Sequence, residues 1–233
     1  MYAAATISNP YSLIPPLNNH RIKRREQKAM CGRYYMGDED IMLVLRAALE
    51  EANRRSLKEG VKTSGEAFPA DLLPVIAPDR NQRPGLFAMR WGYAGRDGKR
   101  IINARSETAR EKPLFADGMA RRRCAIPARS YFEWARNGKA RGTKYSIAPA
   151  GEELFYLAGL YHLTESGPEF AVLTRPPTES IAFIHDRMPV MLPGSGIGDW
   201  IDPRADADKL LPFALTDVSF HKLGAEQLPM ALE

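Results

Sequence analysis

Six short runs with the composition of β-strands, at 73–76, 86–93, 124–134, 144–147, 154–162 and 170–174, follow one another with little helix between them. A doubly wound parallel sheet requires a crossover helix after nearly every strand. Here helical signals occur only in a segment over 41–52, near 113–122 and near 205–214. In the first, Asp38 or Asp40 can cap a helix whose Ile41, Leu45, Ala48, Leu49 and Ala52 share one face, with Gly60 beyond its end. Strands in such an order must pair through hairpins and irregular connections. The expected fold is therefore α+β, with mixed or antiparallel sheets and a few peripheral helices.

Composition narrows what such a fold can do. No run is long and apolar enough to span a bilayer. With only Cys31 and Cys124, the chain has neither a disulfide framework nor a cysteine zinc site, which predicts a reducing compartment, the bacterial cytoplasm or nucleoid. The four histidines show no metal-ligand spacing, and neither glycine fingerprint for phosphate binding occurs. No metal or cofactor is expected. The net charge of +5 hints at nucleic acid, but Arg21, Lys23, Arg24, Arg25 and Lys28 stand against Glu26 alone in the first 29 residues. The rest of the chain is close to neutral, so any nucleic-acid site must be a local basic cleft.

Residues 1–29 differ in character from the remainder of the chain. They hold Pro10, Pro15, Pro16 and the basic cluster, and no pattern that could bury a face. We expect them to be a disordered or non-native extension, with Met30 as the true start and 30–233 as a single domain.

Four short segments carry residue types that packing alone does not require. They are Met30-Cys31-Gly32-Arg33, the run Ile102 to Thr108 (INARSET), Tyr131-Phe132-Glu133-Trp134, and His185-Asp186-Arg187-Met188-Pro189. In this order and spacing, together with Gly65-Glu66-Ala67-Phe68-Pro69 and Trp91-Gly92-Tyr93, they resemble the SOS-response-associated peptidase family, the abasic-site-processing proteins. The resemblance covers residues 30 to about 222. It implies a barrel-like core of curved sheets, and single-stranded DNA containing abasic sites as the partner of a monomeric protein. It also implies a covalent DNA–protein crosslink through Cys31 as the first residue of the mature chain, in the service of DNA repair.

The chemistry of an N-terminal cysteine explains why that position matters. An opened abasic sugar presents an aldehyde, which a neutral amine attacks to give an imine; a thiol two atoms away then closes a thiazolidine ring. A peptide nitrogen cannot begin this. At pH 7 roughly a tenth of an α-amine is neutral, a few hundredfold more than of a lysine. Removal of Met30, by aminopeptidase or by self-processing of a longer precursor, would expose Cys31.

Glu133 lies between Phe132 and Trp134 in a run that otherwise reads as a buried strand, and a carboxylate there needs a reason. Alternation places Tyr131 and Glu133 on one face and Phe132 and Trp134 on the other, so one pair can fill the core while Glu133 faces a cleft. Burial disfavours the charged form, which suits the carboxyl to taking a proton from the attacking amine and relaying it to the leaving oxygen. A salt bridge to one of the many arginines is the alternative. The resemblance gives His185 the role of helping to open the sugar ring, with Asp186 orienting the imidazole.

Asn103 and Arg105, two apart, face the same way if extended, so one cleft can receive an amide for the sugar and a guanidinium for a phosphate. Arg33, two residues from Cys31, and Arg187 are the other expected DNA contacts, although each arginine can equally form a surface ion pair. Ser106 to Thr108 can cap a helix beginning near Ala109. Trp91 is expected to fill the core, and Arg121-Arg122-Arg123 to sit at a helix C-terminus. Where the family carries a tryptophan-rich loop, this chain has 94–100, with Arg96, Lys99 and Arg100 able to bind phosphate.

Two other functions fit the same residues. A cysteine peptidase or amidohydrolase would use Cys31 as thiolate, His185 as base and Asn103 as orienter. A noncatalytic module for single-stranded DNA would need the arginines but not Cys31.

Overall fold

A computed structural model describes residues 32–37, 60–95, 97–137 and 140–224, the side chains at 136, 137, 140 and 141 excepted. The expected extension over 1–29, Cys31, the helix over 41–52 and Arg96 lie outside the described residues. The first strands are β1 (Tyr34–Tyr35), β2 (Glu66–Ala67), β3 (Leu72–Pro78), β4 (Pro84–Trp91), β5 (Tyr93–Ala94), β6 (Arg100–Ile101) and β7 (Asn103–Arg105). Helix α1 (Pro113–Arg121) precedes β8 (Arg123–Ala128), β9 (Ser130–Asn137), β10 (Ala140–Pro149), β11 (Phe155–Thr164) and β12 (Gly167–Arg175). The last elements are β13 (Met188–Pro189), β14 (Met191–Leu192), the short helices α2 (Ile197–Ile201) and α3 (Ala207–Leu210), and β15 (Val218–Lys222). Among the described residues no helix is long and apolar enough to cross a membrane.

Two sheets form the core. In one, β3, β4, β12, β11 and β8 pair in a ring: β12 meets β11 on one edge and β4 on the other, so the sheet closes into a five-stranded barrel. All its pairings are antiparallel except β12–β4, where Glu169 and Phe170 lie opposite Arg90 and Trp91. The second sheet, ordered β15-β10-β9-β1-β2, is antiparallel throughout. The expected mixed, barrel-like α+β architecture is what the chain adopts.

Period-two alternation explains the layering. On β8, β11 and β12, Cys124, Ile126, Phe155, Leu157, Phe170 and Val172 join the cluster shared with the second sheet, with Tyr34, Tyr131 and Ile147. Their neighbours Ala125, Ala158, Leu160, Ala171 and Leu173 face the other way, against Phe115 and Met119 of α1 and Trp200 and Ile201 of α2. Strands covered on both faces read as continuous apolar runs, as these do. Trp91 is fully buried, donates from Nε1 to Ile102 O (3.1 Å) and stacks on Phe170, in the core as expected. At Gly159 a Cβ would lie 2.6 Å from Ile126 Cδ1 and 3.0 Å from Cys124 Sγ, so only glycine leaves room for the side chains of the neighbouring strand there.

Three sequence expectations are corrected. The run 124–134 is two strands in different sheets: β8 pairs with β11 in the barrel, and after Arg129, whose N–H donates to Tyr35 O (2.8 Å), β9 pairs with β1 and β10. Composition cannot register a change of partner within an apolar run. The helix expected near 113–122 is present and begins at Pro113, a residue preorganised for a helix's first position, but none begins near Ala109, because residues 106–112 form turns and a bend. Over 205–214 the helix lasts only through α3, capped by Asp206 accepting from Asp208 N, and tightens to a 3₁₀ turn at Leu211–Phe213. Pro212 lacks the N–H needed to continue it.

Two buried charges stitch the layers together. Arg123, 1 % exposed, donates to Trp200 O (2.6 Å), Met119 O (2.7 Å), Ala120 O (3.4 Å) and Ala205 O (2.9 Å), and to Asp202 O. It caps α1 and holds the α2–α3 segment at once, so the triple-arginine run serves structure at its last member. Arg121 and Arg122 both pair with Asp117. Glu169 accepts from Ala94 N (2.9 Å) and Arg100 Nη1 (2.9 Å) and meets His162 Nε2 (3.0 Å), whose ring stacks on Tyr93. Burial pushes the Glu169 carboxyl up, but the His162, Ala94 and Arg100 contacts outweigh it and hold the group below its usual range.

These two networks set expectations for stability. Arg123→Lys supplies one point charge where a fork reached several carbonyls, and should cost about 3 kcal/mol in urea unfolding; a change within error would show that the fork is dispensable. Because Glu169 has a lowered folded-state pKa, its contribution is present above the unfolded value near 4.5 and is lost as pH falls through the folded one. Glu169→Gln should therefore lower the urea midpoint at pH 7 and flatten its decline below about pH 4.5. A parallel acid limb in both proteins would refute this.

Candidate active site

The site is built where the second sheet meets one end of the barrel. The register Tyr34↔Tyr131 and Tyr35↔Ser130 continues through a bond from Phe132 N to Arg33 O (3.0 Å), which brings the chain at Gly32 alongside Glu133. On the other side β10 places Tyr145 opposite Glu133. Glu133 is 5 % exposed and shares its face with Tyr131, which lies in the main core cluster. On the opposite face Phe132 is buried as expected, Trp134 is only partly so, and both meet cations. Glu133 thus closes the inner end of the core rather than backing away from it, because Tyr34, Tyr131 and Ile147 supply the core contacts along that face.

The facing wall comes from the barrel. A Cβ on Gly32 would lie 3.9 Å from Ile102 Cδ1, and Ile102 leads directly into β7. There Asn103 and Arg105 flank buried Ala104, so alternation puts both on the face away from the helices, and β7 pairs in parallel with β12 through Val172↔Asn103 and Thr174↔Arg105. Asn103 is half-buried and Arg105 exposed.

His185 arrives from a third direction. Ile181 and Ile184 are buried in the core, His185 N donates to Ile181 O (3.4 Å), and Phe183 packs edge-on against Tyr145 (5.8 Å), the cross-strand neighbour of Glu133. The His185 side chain is 12 % exposed. Its Nδ1 accepts from Arg187 N (3.2 Å) and lies 3.0 Å from Asp186 Oδ1. The first contact requires a lone pair on Nδ1 and the second a proton, so the two select opposite tautomers of the ring.

Arg187 is engaged by protein groups. Its guanidinium is 11 % exposed, pairs through both terminal nitrogens with the Glu107 carboxylate (Nη2–Oε2 2.7 Å), and donates to Thr174 O (2.6 Å). The Arg187 guanidinium in turn holds the Glu107 carboxyl below its usual range. In this arrangement Arg187 ties the His185 loop to β12 and to the turn after β7. Arg33 is likewise held: it lies over the rings of Phe68 (4.7 Å) and Trp134 (5.3 Å) and contacts Glu66 Oε2 at 3.5 Å. Lys144 completes that outer face, 2.7 Å from Glu66 Oε1 and above Phe132 (4.3 Å).

The sequence reading gave Glu66, Lys144 and Tyr145 no role at the site and offered Glu107 only as part of a helix cap. Glu66 stood in a motif-like segment with no chemistry to single it out, and Lys144 and Tyr145 become informative only through the β9–β10 register. Cys124, the other thiol of the chain, is completely buried and its pKa is pushed up by burial. Among the described residues no group of His, Cys, Asp and Glu is placed to hold a metal ion.

If the Glu107–Arg187 pair positions the His185 loop, Arg187→Lys should cost about 2 kcal/mol of stability. Amide hydrogen exchange over 183–187 should quicken about tenfold. Unchanged exchange there would show that other contacts hold the loop.

The model of a family described as SOS response associated peptidase (SRAP) matches residues 30–229. "Abasic site processing protein YoqW" of Bacillus subtilis is 33% identical over 195 residues, which cover 78% of this chain and 84% of that protein. "Abasic site processing protein YobE" of the same organism is 33% identical over 171 residues, 66% of this chain and 77% of its own. A solved structure of a protein from Bacteroides thetaiotaomicron superposes with a TM-score of 0.65 at 19% identity, over 83% of this chain and 92% of that one, and so shares the fold. The chain belongs to the SOS response associated peptidase (SRAP) family.

Proposed function

We propose that this protein processes abasic sites in single-stranded DNA by forming a covalent thiazolidine link through the α-amine and thiol of Cys31, once that residue is the first of the chain. The observation that carries the reading is the buried carboxyl of Glu133, set beside the backbone at Gly32, one residue from Cys31. The names of the relatives supply the substrate class. The entombed thiol of Cys124 leaves Cys31 as the usable sulfur.

The steps need only groups of this chain. His185 exchanges a proton with the ring oxygen of the abasic sugar, opening it to the aldehyde. The neutral amine of Cys31 attacks the aldehyde carbon; Glu133 takes a proton from the nitrogen and returns one to the hydroxyl, which leaves as water with formation of the imine. The Cys31 sulfur then adds to the imine carbon and its proton passes to the nitrogen, so no oxidant, metal or cofactor is consumed. Asn103 fixes the sugar. Arg105, on the same face of β7, and Arg33 offer charge to adjacent phosphates. Arg187 can contribute a phosphate contact only by sharing its guanidinium with Glu107.

Intact mass spectrometry of the native protein, before and after incubation with single-stranded DNA holding one abasic site, tests the proposal. A chain beginning at Cys31 should gain the mass of the DNA less one water. Cys31→Ala should abolish the stable adduct, and Glu133→Gln should slow its formation by roughly 10²-fold or more. A glycine inserted before mature Cys31 should also abolish it, because the amine becomes a peptide nitrogen. If that insertion keeps proteolytic activity in a protein that never crosslinks, the thiol acts as a peptidase nucleophile and the proposal falls.

A further inference from the structure

We infer that Tyr145, Phe183 and Phe220 form a stacking platform for an unstacked base beside the abasic nucleotide. This deepens the function proposed above and rests on it. The three rings come from separate elements, β10, the loop before His185, and β15, and meet edge to face with centroids 5.8 Å (Tyr145–Phe183), 5.9 Å (Tyr145–Phe220) and 5.4 Å (Phe183–Phe220) apart. Two of them are spread over solvent: Phe183 is 56% and Phe220 38% exposed. Exposed phenylalanines held in a cluster by three elements are poorly explained by folding, since much of their apolar surface stays in water.

Position and charge identify the occupant. Tyr145 is the cross-strand neighbour of Glu133, and Phe183 lies two residues before His185, so the platform borders both proposed proton-transfer groups. Lys222 lies opposite Tyr145 on β15, exposed and on the same face of the sheet. Rings that present faces or edges to solvent next to a cation suit a base and its phosphate; an aliphatic partner would have no use for the charge, and a duplex keeps its bases stacked within itself. The chain thereby has an aromatic surface beside its site although the segment after Trp91-Gly92-Tyr93 contains no tryptophan. A base lifted onto the platform would hold the strand open at the abasic sugar without reading sequence, because every base has a π-face.

The test uses the full chain, single-stranded DNA with a tetrahydrofuran analogue that cannot open to an aldehyde, and 2-aminopurine on either side of the analogue in turn. Binding should quench the fluorophore at one of the two positions. In Phe183→Leu/Phe220→Leu that quench should vanish and the Kd should rise roughly tenfold, with thermal unfolding unchanged, since the replaced rings are exposed. Equal quenching and Kd in both proteins would overturn the platform, as would a variant whose only change is loss of self-association in sedimentation, which would make the face a contact between copies. Natural abasic DNA separates the two ideas. A wild-type chain that quenches the fluorophore but forms no adduct refutes the crosslinking function and leaves the platform standing; one that forms the adduct without any quench does the reverse.

Discussion

Strand β12 is the element on which the barrel side of the cleft is registered. One of its edges pairs with β11 and then β13, and the other with β4 and then β7. Without the two-residue parallel contact at Glu169 and Phe170, the barrel would be an open sheet with β4 as an unpaired edge, and unpaired edges invite association. The same strand carries Asn103 and Arg105 on one flank and leads, through β13, back to His185 on the other. Gly92 marks how tight that junction is: its N–H donates to Phe170 O (2.7 Å) at φ +98°, and a Cβ would lie 2.8 Å from Arg100 Cβ. A side chain there would move β6 and with it the start of β7.

Buried charge is concentrated at the ends of this strand. Glu169 gathers Arg100, His162 and a backbone N–H near its beginning, and Arg187 joins Glu107 to Thr174 near its end. A parallel strand pair provides fewer local hairpin constraints than an antiparallel one, so its register must be set by other means. Hydrogen-bonded charges do this with directional contacts. Removing Glu107 strips the largely buried Arg187 of its carboxylate, and removing Arg100 or His162 leaves buried Glu169 short of a partner, which penalises a shifted register even where the intact pair adds little net stability. We regard these networks as devices of position, and the cleft inherits its geometry from them.

Much of this was legible because strand physics writes itself into residue order. Six strand-like runs with few intervening helices excluded a doubly wound fold, and Trp91 at the end of an alternating run was rightly placed in the core. The change of sheet between Ala128 and Ser130 was not legible, since β8 and β9 are both rich in apolar residues and only their partners differ. The core role of Tyr131 beside Glu133 was not legible for a related reason: alternation tells that the two lie together, but not which of the two faces is covered by the barrel. Arg187 shows the remaining limit. Its motif advertised a guanidinium near the site, while its carboxylate partner Glu107 is 80 residues away in sequence and visible only once β7 and β13 flank the same strand.

A chemistry that begins at a chain terminus faces a particular obstacle, because termini are ordinarily the least ordered part of a domain. The fold meets it with one of its shortest strands. Although β1 has only two residues, it lies between β9 and β2 as an interior strand, and Tyr34 and Met36 are fully buried on its core side. Arg33, caught between two rings and paired with Glu66, adds an anchor on the outer face. Only Gly32 separates these anchors from Cys31, so on the proposed reading the amine needs no loop to deliver it and loses little freedom on binding DNA. The arrangement also explains why the inner and outer faces of one sheet carry different tasks. Successive residues of an extended chain point in opposite directions, so Glu133 reaches the cleft while Phe132 and Trp134 take up the cations that hold the approaching N-terminal segment in place.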